Sequence, residues 1–261
     1  MFSRKLENRQ AIITGAGRGI GRAIALGFAT EGAQIAAVGR TESDLNSLVR
    51  EVSQLGGKAV AIPADLCEPA AASRVIQETE KRLGTIDILV NNAGIGSSSD
   101  PQPVLHFDDD FWHRSLALNL TAPYLLSKAV LPTLLEKKWG RIINIASVSS
   151  KSPTPHGVAY SSSKHGLLGL TRTLALEVAT QGITVNAICP GPVETEMNDR
   201  RIRYDSERLG VPLQELEAGL TPIGRRLQPE EMVPMAILLA SEESAAITGQ
   251  AFNICGGLAM Y

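Results

Sequence analysis

Residues 11–21 read Ala-Ile-Ile-Thr-Gly-Ala-Gly-Arg-Gly-Ile-Gly: an apolar run over 11–14 passes directly into Thr14-Gly15-Ala16-Gly17-Arg18-Gly19-Ile20-Gly21 and opens a helix. Glycines between a strand and a helix let the backbone turn tightly and approach a pyrophosphate, whose charge sits at the helix N-terminus. The strict spacing G-x-G-x-x-G is not met, because Ile20 stands at the third glycine position. The fit is Gly-x-x-x-Gly-x-Gly, at Gly15, Gly19 and Gly21. A glycine-rich turn alone reads equally well as a structural corner, so the segments around it carry the decision.

Outward from this loop, short apolar runs suited to buried parallel strands alternate with longer amphipathic stretches. Strands are predicted at 11–14, 34–38, 59–63, 86–90, 141–146, 184–188 and 250–254. Helices are predicted at 20–31, 42–55, 69–83, 108–117, 122–138, 159–180 and 230–240. About seven strands separated by helices predict an α/β fold: a Rossmann-type doubly wound parallel sheet with helices on both faces. No linker or composition shift divides residues 1–261, which read as one dinucleotide-binding domain. Residues 192–228 are too long for a plain connection, and they read as a helical flap over a site or as a solvated excursion.

At 261 residues with 44% hydrophobic and 20% charged, the chain has the composition of a globular domain and not of a disordered tail or a coiled coil. Its 25 Lys and Arg against 27 Asp and Glu give no electrostatic reason for a nucleic-acid or anionic-membrane partner. No apolar run reaches the roughly 18 residues of a membrane helix, and residues 1–10 lack a signal-peptide core, so the expected compartment is cytoplasmic. Cys67, Cys189 and Cys255 form no Cys-x-x-Cys pair and read as buried small hydrophobes.

About 20 residues past the glycine loop, where an acid would grip an NAD ribose, stands Gly39-Arg40-Thr41. With no carboxylate to repel a 2′-phosphate, and with Arg18 and Arg40 as cationic donors, NADP(H) is the better match, with NAD(H) possible. Both arginines also suit an ordinary surface. Further along, Tyr160 and Lys164 lie four apart on a predicted helix and share one face. A phenol near pKa 10 exchanges protons poorly at neutral pH until a neighbouring ammonium stabilises its phenolate, which Lys164 is placed to do. A core Tyr beside a surface Lys would show the same spacing. What adds weight is Ser147 just after the strand at 141–146, and Asn91-Asn92-Ala93-Gly94 just after the strand at 86–90, since ligands bind at such strand ends.

With these residues in view, the chain resembles the short-chain dehydrogenase/reductase (SDR) family over nearly its whole length. The resemblance rests on Thr14 to Gly21, Asp65-Leu66, Asn91 to Gly94, Asn119, Ser147, Tyr160 to Lys164 and Pro190-Gly191, in that order. It implies that Tyr160 donates a proton to a carbonyl oxygen in reduction or accepts one in oxidation, and that Ser147 orients that oxygen. It implies that Lys164 lowers the tyrosine pKa and holds the nicotinamide ribose, and that Asn119 anchors a water for proton relay. Around the cofactor it implies Gly15, Arg18, Gly19, Ile20, Gly21 and Arg40 at the phosphates, and Asp65 with Leu66 at the adenine. Asn91, Ala93 and Gly94 would meet the adenosine ribose, and the loop carrying Pro190, Gly191, Val193 and Thr195 the nicotinamide and phosphates. No metal is called for. His106, His113, His156 and His165 show no ligand-like pairing and read as structural, with His156 close enough to the active-site helix to line a pocket.

Two stretches, Lys164-His165-Gly166-Leu167-Leu168-Gly169-Leu170-Thr171 and the ending from Asn253 to Tyr261, are similar to 3-oxoacyl and polyketide ketoreductases. This implies a small-molecule or acyl-thioester carbonyl substrate and an acyl carrier protein as partner. Arg200, Arg201, Arg203 and Arg208, or Arg225 and Arg226, would then meet a carrier phosphate, unless they only pair with Asp199, Asp205, Glu207, Glu215 and Glu217. Against that subfamily, residues 95–99 lack a Pro-Gly-Gly. The 3-hydroxybutyrate dehydrogenases share the helix pattern and sugar-acid dehydrogenases share Gly39-Arg40-Thr41, so a small-metabolite dehydrogenase is the alternative. A silent dinucleotide sensor would keep the glycine loop and lose one of Asn119, Ser147, Tyr160 and Lys164, all of which are present. A serine hydrolase elbow and a P-loop lysine are both missing. The resemblance also implies a homotetramer, with Leu125, Leu126, Leu167, Leu170 and Leu174 consistent with an interface or equally with a buried helix face.

Overall fold

The structure is a computed structural model and describes residues 4–261. Seven strands, β1 (Gln10–Thr14), β2 (Gln34–Gly39), β3 (Ala59–Pro63), β4 (Ile88–Asn91), β5 (Gly140–Ile145), β6 (Ile183–Pro190) and β7 (Ala251–Ile254), form one sheet in the order β3-β2-β1-β4-β5-β6-β7. Every neighbouring pair is parallel. Alternation along each strand sorts side chains to the two faces. Ala11 and Ile13 face one core with Ile35, Ala37, Ile88, Val90, Ile143 and Ile145, while Ile12 faces the other with Ala36, Val38, Leu89, Ile142 and Val185. Because both faces are buried, the strands read as continuous apolar runs, which is why their positions were legible to within two residues.

The helices α1 (Gly19–Thr30), α2 (Glu42–Gln54), α3 (Ala71–Leu83), α4 (Asp109–Leu116), α5 (Ala122–Lys137), α6 (Val158–Val178), α7 (Glu196–Leu209), α8 (Leu213–Gly219) and α9 (Val233–Ala240) follow in chain order. Ile24 and Phe28 of α1, Leu45 and Leu48 of α2, and Ala236 and Leu239 of α9 fill the first core. Val75 and Ile76 of α3, Leu126, Val130 and Leu134 of α5, and Leu174 and Val178 of α6 fill the second. Each fully buried Leu, Ile or Phe contributes about 1.5–3 kcal/mol by leaving water. Leu126 and Leu174 therefore serve the interior of the protomer, and Leu167 is buried beside Ala146, Leu168 and Cys189. These three leucines do not supply a subunit interface, because the sheet already covers them.

Three further differences from the sequence reading have local causes. The helix expected at 230–240 begins as a one-turn 3-10 helix, Pro229–Met232, before α9. Between α4 and α5 the chain widens into a π-helical turn, Ala117–Thr121, just before Pro123, which has no N–H to complete the ordinary helical bond to the Asn119 carbonyl. Cys67 is exposed after β3, whereas Cys189 and Cys255 are buried.

Stability and chemistry occupy opposite ends of the sheet. At the N-terminal ends of the strands, the buried guanidinium of Arg141 donates to the carbonyls of Gly140, Gly182 and Ser241 and lies 4.4 Å from the Trp139 ring centroid. Buried Asp87 accepts from the Gln10 amide at 2.9 Å and pairs with Arg9 and Lys137. The C-terminal ends of β1, β4, β5 and β6 carry the loops described next.

Candidate active site

β1 and β4 are adjacent although two other strands separate them in sequence, so their crossovers run in opposite directions and leave a crevice between their C-terminal ends. Thr14 and Asn92 tie the two rims together. The Thr14 hydroxyl accepts from the amides of Asn92 (2.9 Å) and Ala93 (3.0 Å) and faces the Val90 carbonyl. The Asn92 side-chain amide donates to the carbonyls of Thr14 (2.8 Å) and Gly15 (3.2 Å). Sequence reasoning placed both residues in motifs without seeing this clamp, which only the β1–β4 pairing creates.

The clamp explains one glycine directly. A Cβ at Gly21 would lie 2.4 Å from both the Asn92 amide nitrogen and the Gly15 carbonyl oxygen, so no side chain fits there. Gly19 has φ +56° and faces Thr195, so the left-handed conformation and the close neighbour together favour glycine. Ile20, at the nominal third glycine position, points into the first core instead of toward the loop. Arg18 is the N-cap of α1 and provides no side-chain cap, which leaves the first-turn amides of that helix directed at the crevice. A pyrophosphate fits this cradle.

At the end of β2, Thr41 begins α2 without a side-chain cap, and exposed Arg40 beside it has no hydrogen-bond or ion-pair partner among the described residues. Arg18 is paired with Glu196 at the start of α7. One rim of the crevice thus carries an uncommitted cation and the other a cation already engaged. Asp65, after β3, accepts the Cys67 amide at 3.0 Å, and Leu66 is buried in the second core, leaving its backbone for any contact with an adenine. The Asn91 side chain also turns inward: it is buried and donates to Asn144 at 2.9 Å and Ser127 at 3.4 Å. The ribose contact expected of Asn91 therefore does not fall to its side chain, because the core network claims it.

The four expected catalytic residues come together around the ends of β4 and β5. Ser147 follows β5 and caps the single turn Val148–Ser150, accepting from the Ser149 amide while its own amide donates to Ser150. Lys164 of α6 is buried, with its ammonium donating to the Ile145 carbonyl at 2.7 Å and lying 5.9 Å from the Tyr160 ring centroid. Burial lowers the Lys164 pKa to about 8. Burial pushes the Tyr160 phenol up, with the neighbouring Ser147 hydroxyl pulling the other way. Asn119, on the π turn, accepts from the Ile95 amide at 2.8 Å and donates to the Ile95 carbonyl at 2.9 Å and to Ser163 at 3.1 Å. Both amide hydrogens are spent, so the Asn119 side chain clamps the loop after β4. A Cβ at Gly94 would lie 3.1 Å from Asn119 Oδ1 and 3.8 Å from Lys164 Nζ, which places that backbone against the cluster.

The segment at 192–228 contains α7 and α8 and leans on the site. Pro190 ends β6; Gly191 donates to the Ile254 carbonyl at 2.9 Å; buried Val193 bridges to Leu227; and Thr195 caps α7. Arg201 donates to the Pro155 carbonyl (2.9 Å) and Ser97 (3.4 Å) while paired with Asp205. His156, at φ +56°, meets the Tyr204 hydroxyl at 2.5 Å, so it joins the wall between α7 and the loop before α6. Ser98 donates to the Met197 carbonyl at 2.8 Å. The flap arginines are mostly committed: Arg200 to Glu196, Arg208 to Asp205, Arg225 to Glu231, and Arg226 to Asp199 and Glu217. Arg203 alone of the six has no ion pair among the described residues, so each of the other five would have to exchange a carboxylate for a carrier phosphate.

Comparison with known proteins follows the same lines. The short chain dehydrogenase family profile matches residues 9–205. The 3-oxoacyl-[acyl-carrier-protein] reductase of Escherichia coli K12 is 35% identical over 254 residues, covering 97% of this chain and 98% of that protein. A crystal structure of an actinorhodin polyketide ketoreductase variant with NADPH superposes with a TM-score of 0.92 at 36% identity, covering 97% of this chain and 98% of the other. A gluconate 5-dehydrogenase from Burkholderia cenocepacia in complex with NADP and tartrate gives 0.89 at 36% identity, covering 98% and 97%.

Proposed function

This chain belongs to the short-chain dehydrogenase family and is an oxidoreductase acting on carbonyl and hydroxyl groups; from that premise we propose that it is an NADP(H)-dependent ketoreductase taking 3-oxoacyl thioesters or polyketide-type ketones. The observation that carries the reading is the cluster of Ser147, Tyr160 and Lys164 beside a dinucleotide cradle with cationic rims. Relatives named for NADPH, NADP and 3-oxoacyl substrates support the finer choices.

The cradle residues Gly15, Gly19 and Gly21 would hold the pyrophosphate at α1, Arg18 and Arg40 a 2′-phosphate, Asp65 the adenine, and Lys164 the nicotinamide ribose. When bound, the nicotinamide supplies the hydride to the carbonyl carbon. The rest falls to the chain. Ser147 donates a hydrogen bond to the carbonyl oxygen and fixes its position. A phenol kept protonated by burial suits proton donation, so Tyr160 delivers its proton to the same oxygen as negative charge builds there. Lys164, still charged below pH 8, stabilises the phenolate left behind. Asn119 holds the loop after β4 against the cluster.

A second reading, a dehydrogenase of small hydroxy acids such as gluconate, is favoured by the polar wall of Ser97, His156, Arg201 and Tyr204. An acyl carrier as bearer of the thioester is supported by the relatives' names alone, since five of the six flap arginines are already paired with carboxylates. A cytoplasmic setting belongs to this reading and fits a chain in which, among the described residues, no helix is long and apolar enough to cross a membrane. Assembly as a homotetramer belongs to it as well, with exposed Leu176 and Tyr124 on α6 and α5 and Met260 near the C-terminus as the apolar surface to be covered. The test is titration with NADPH and NADH by nicotinamide fluorescence, then NADPH oxidation with an acetoacetyl thioester, trans-1-decalone, acetoacetate and a keto-sugar acid. NADPH preference with turnover of thioester or decalone is expected. Turnover confined to acetoacetate or the sugar acid transfers the protein to the second reading.

A further inference from the structure

Arg18 stands between two helix starts. On one side, a Cβ at Gly17 would lie 2.9 Å from Asp44 Cβ in the first turn of α2. On the other, a Cβ at Gly19 would lie 3.2 Å from Thr195 Cγ2, at the cap of α7. A ribose 2′ substituent is read at the end of the second strand, which is the α2 side, where Arg40 waits without a partner. The Arg18 guanidinium is turned the other way. It is paired with one carboxylate oxygen of Glu196, whose second oxygen accepts from Arg200 at 2.7 Å. All three side chains are substantially exposed, so the pairing is reversible and screened by salt.

We propose that Glu196 is a built-in competitor for the cofactor's 2′-phosphate: Arg18 must leave Glu196 to reach that phosphate, so Glu196 sets how strongly NADP(H) is preferred over NAD(H). The proposal rests on the reading of Arg18 as a phosphate-binding residue. Arg200 moderates the competition, because a carboxylate that keeps one cation gives up the other more readily. NADH lacks the 2′-phosphate and makes no demand on Arg18, so Glu196 acts on one cofactor and not on the other. The same exchange links cofactor to flap, since a phosphate that draws Arg18 away also frees the first turn of α7 from the glycine loop, and coupling of this kind is reciprocal.

An exposed ion pair contributes little, about two- to fivefold in an equilibrium constant. Glu196→Gln is therefore expected to tighten NADPH about two- to fivefold and leave NADH where it was. Arg200→Gln, which leaves Arg18 as the only partner of Glu196, is expected to weaken NADPH by a similar factor. In an Arg18→Gln background, Glu196→Gln should have no effect, because the pair it breaks is already gone. The experiment is fluorescence titration of wild type, the three single variants and the Arg18/Glu196 double variant with NADPH and with NADH at low ionic strength, with melting curves to confirm folding. If wild type prefers NADPH and Arg18→Gln weakens it, but Glu196→Gln changes nothing or tightens both cofactors alike, the competition is refuted while the cofactor reading stands. If wild type shows no NADPH preference, or Arg18→Gln has no effect on it, the cofactor reading fails and the proposal fails with it.

Discussion

Replacing Lys164 by Met separates what this residue does for the reaction from what it does to the fold. The ammonium is buried, and burial lowers its pKa from 10.5 to about 8. At about 1.36 kcal/mol per pKa unit, that shift corresponds to about 3 kcal/mol that the folded state loses by holding the charged form. Methionine removes this cost but leaves the Ile145 carbonyl without its 2.7 Å donor, a loss of about 1–3 kcal/mol. Near pH 7 the two effects nearly cancel, so the variant should be about as stable as wild type or up to about 2 kcal/mol more stable, while turnover collapses. The pH dependence is sharper. Between pH 8 and 10.5 the folded state holds fewer protons on this side chain than the unfolded chain, so wild-type stability climbs with pH across that window. Below it the burial cost is present in full, and above it the cost is gone. The variant has nothing to titrate, so its advantage should shrink by about 3 kcal/mol, or several degrees in melting temperature, between the two ends. Urea unfolding of both proteins at pH 7.5, 9 and 10.5 measures the difference and cancels every other group. Parallel curves would show that Lys164 is not held in a charge-disfavouring site, and would remove the basis for its role beside Tyr160.

Tyr160→Phe should leave NADPH affinity unchanged by fluorescence and lower kcat by about 10²–10⁴, the range for a positioned proton donor; wild-type turnover in that variant would exclude Tyr160. Arg40→Asp should raise the NADPH Kd well above wild type and leave the NADH Kd little changed, and equal effects in the two titrations would undo the cofactor preference. Asn91→Ala should destabilise the protein by about 1–3 kcal/mol in denaturant unfolding with little change in cofactor affinity, because the side chain serves Asn144 and Ser127 and not the crevice.

What was legible in the sequence was whatever repeats locally. Strands buried on both faces read as apolar runs, and Gly15 to Gly21 and Tyr160 to Lys164 declare themselves by spacing along one element. What escaped was set by which elements become neighbours. The Thr14–Asn92 clamp exists because β4 lies beside β1, and nothing in either segment alone says that a hydroxyl of one will meet the amides of the other. The pairing of Arg18 with Glu196 spans 178 residues, and both look like surface charges until α7 is laid over the loop. The surroundings of Asn91 and Leu126 stayed open for one reason: a polar residue at a strand end and a leucine on a long helix each suit two environments, and in the fold the interior takes both side chains. The π turn that brings Asn119 onto Ile95 is marked only by Pro123 just past it, and a proline there reads as an ordinary helix start as readily as a widened turn.

If Tyr160, Ser147 and Lys164 direct the hydride of bound NADPH onto a carbonyl, that hydride can be followed as a label: NADPH deuterated at the transferring C4 position is supplied with trans-1-decalone or an acetoacetyl thioester, and the alcohol is analysed by mass spectrometry. One deuterium is expected on the carbinol carbon of the wild-type product, and almost no labelled alcohol from Tyr160→Phe. Alcohol formed without the label, or labelled equally by both proteins, would contradict it.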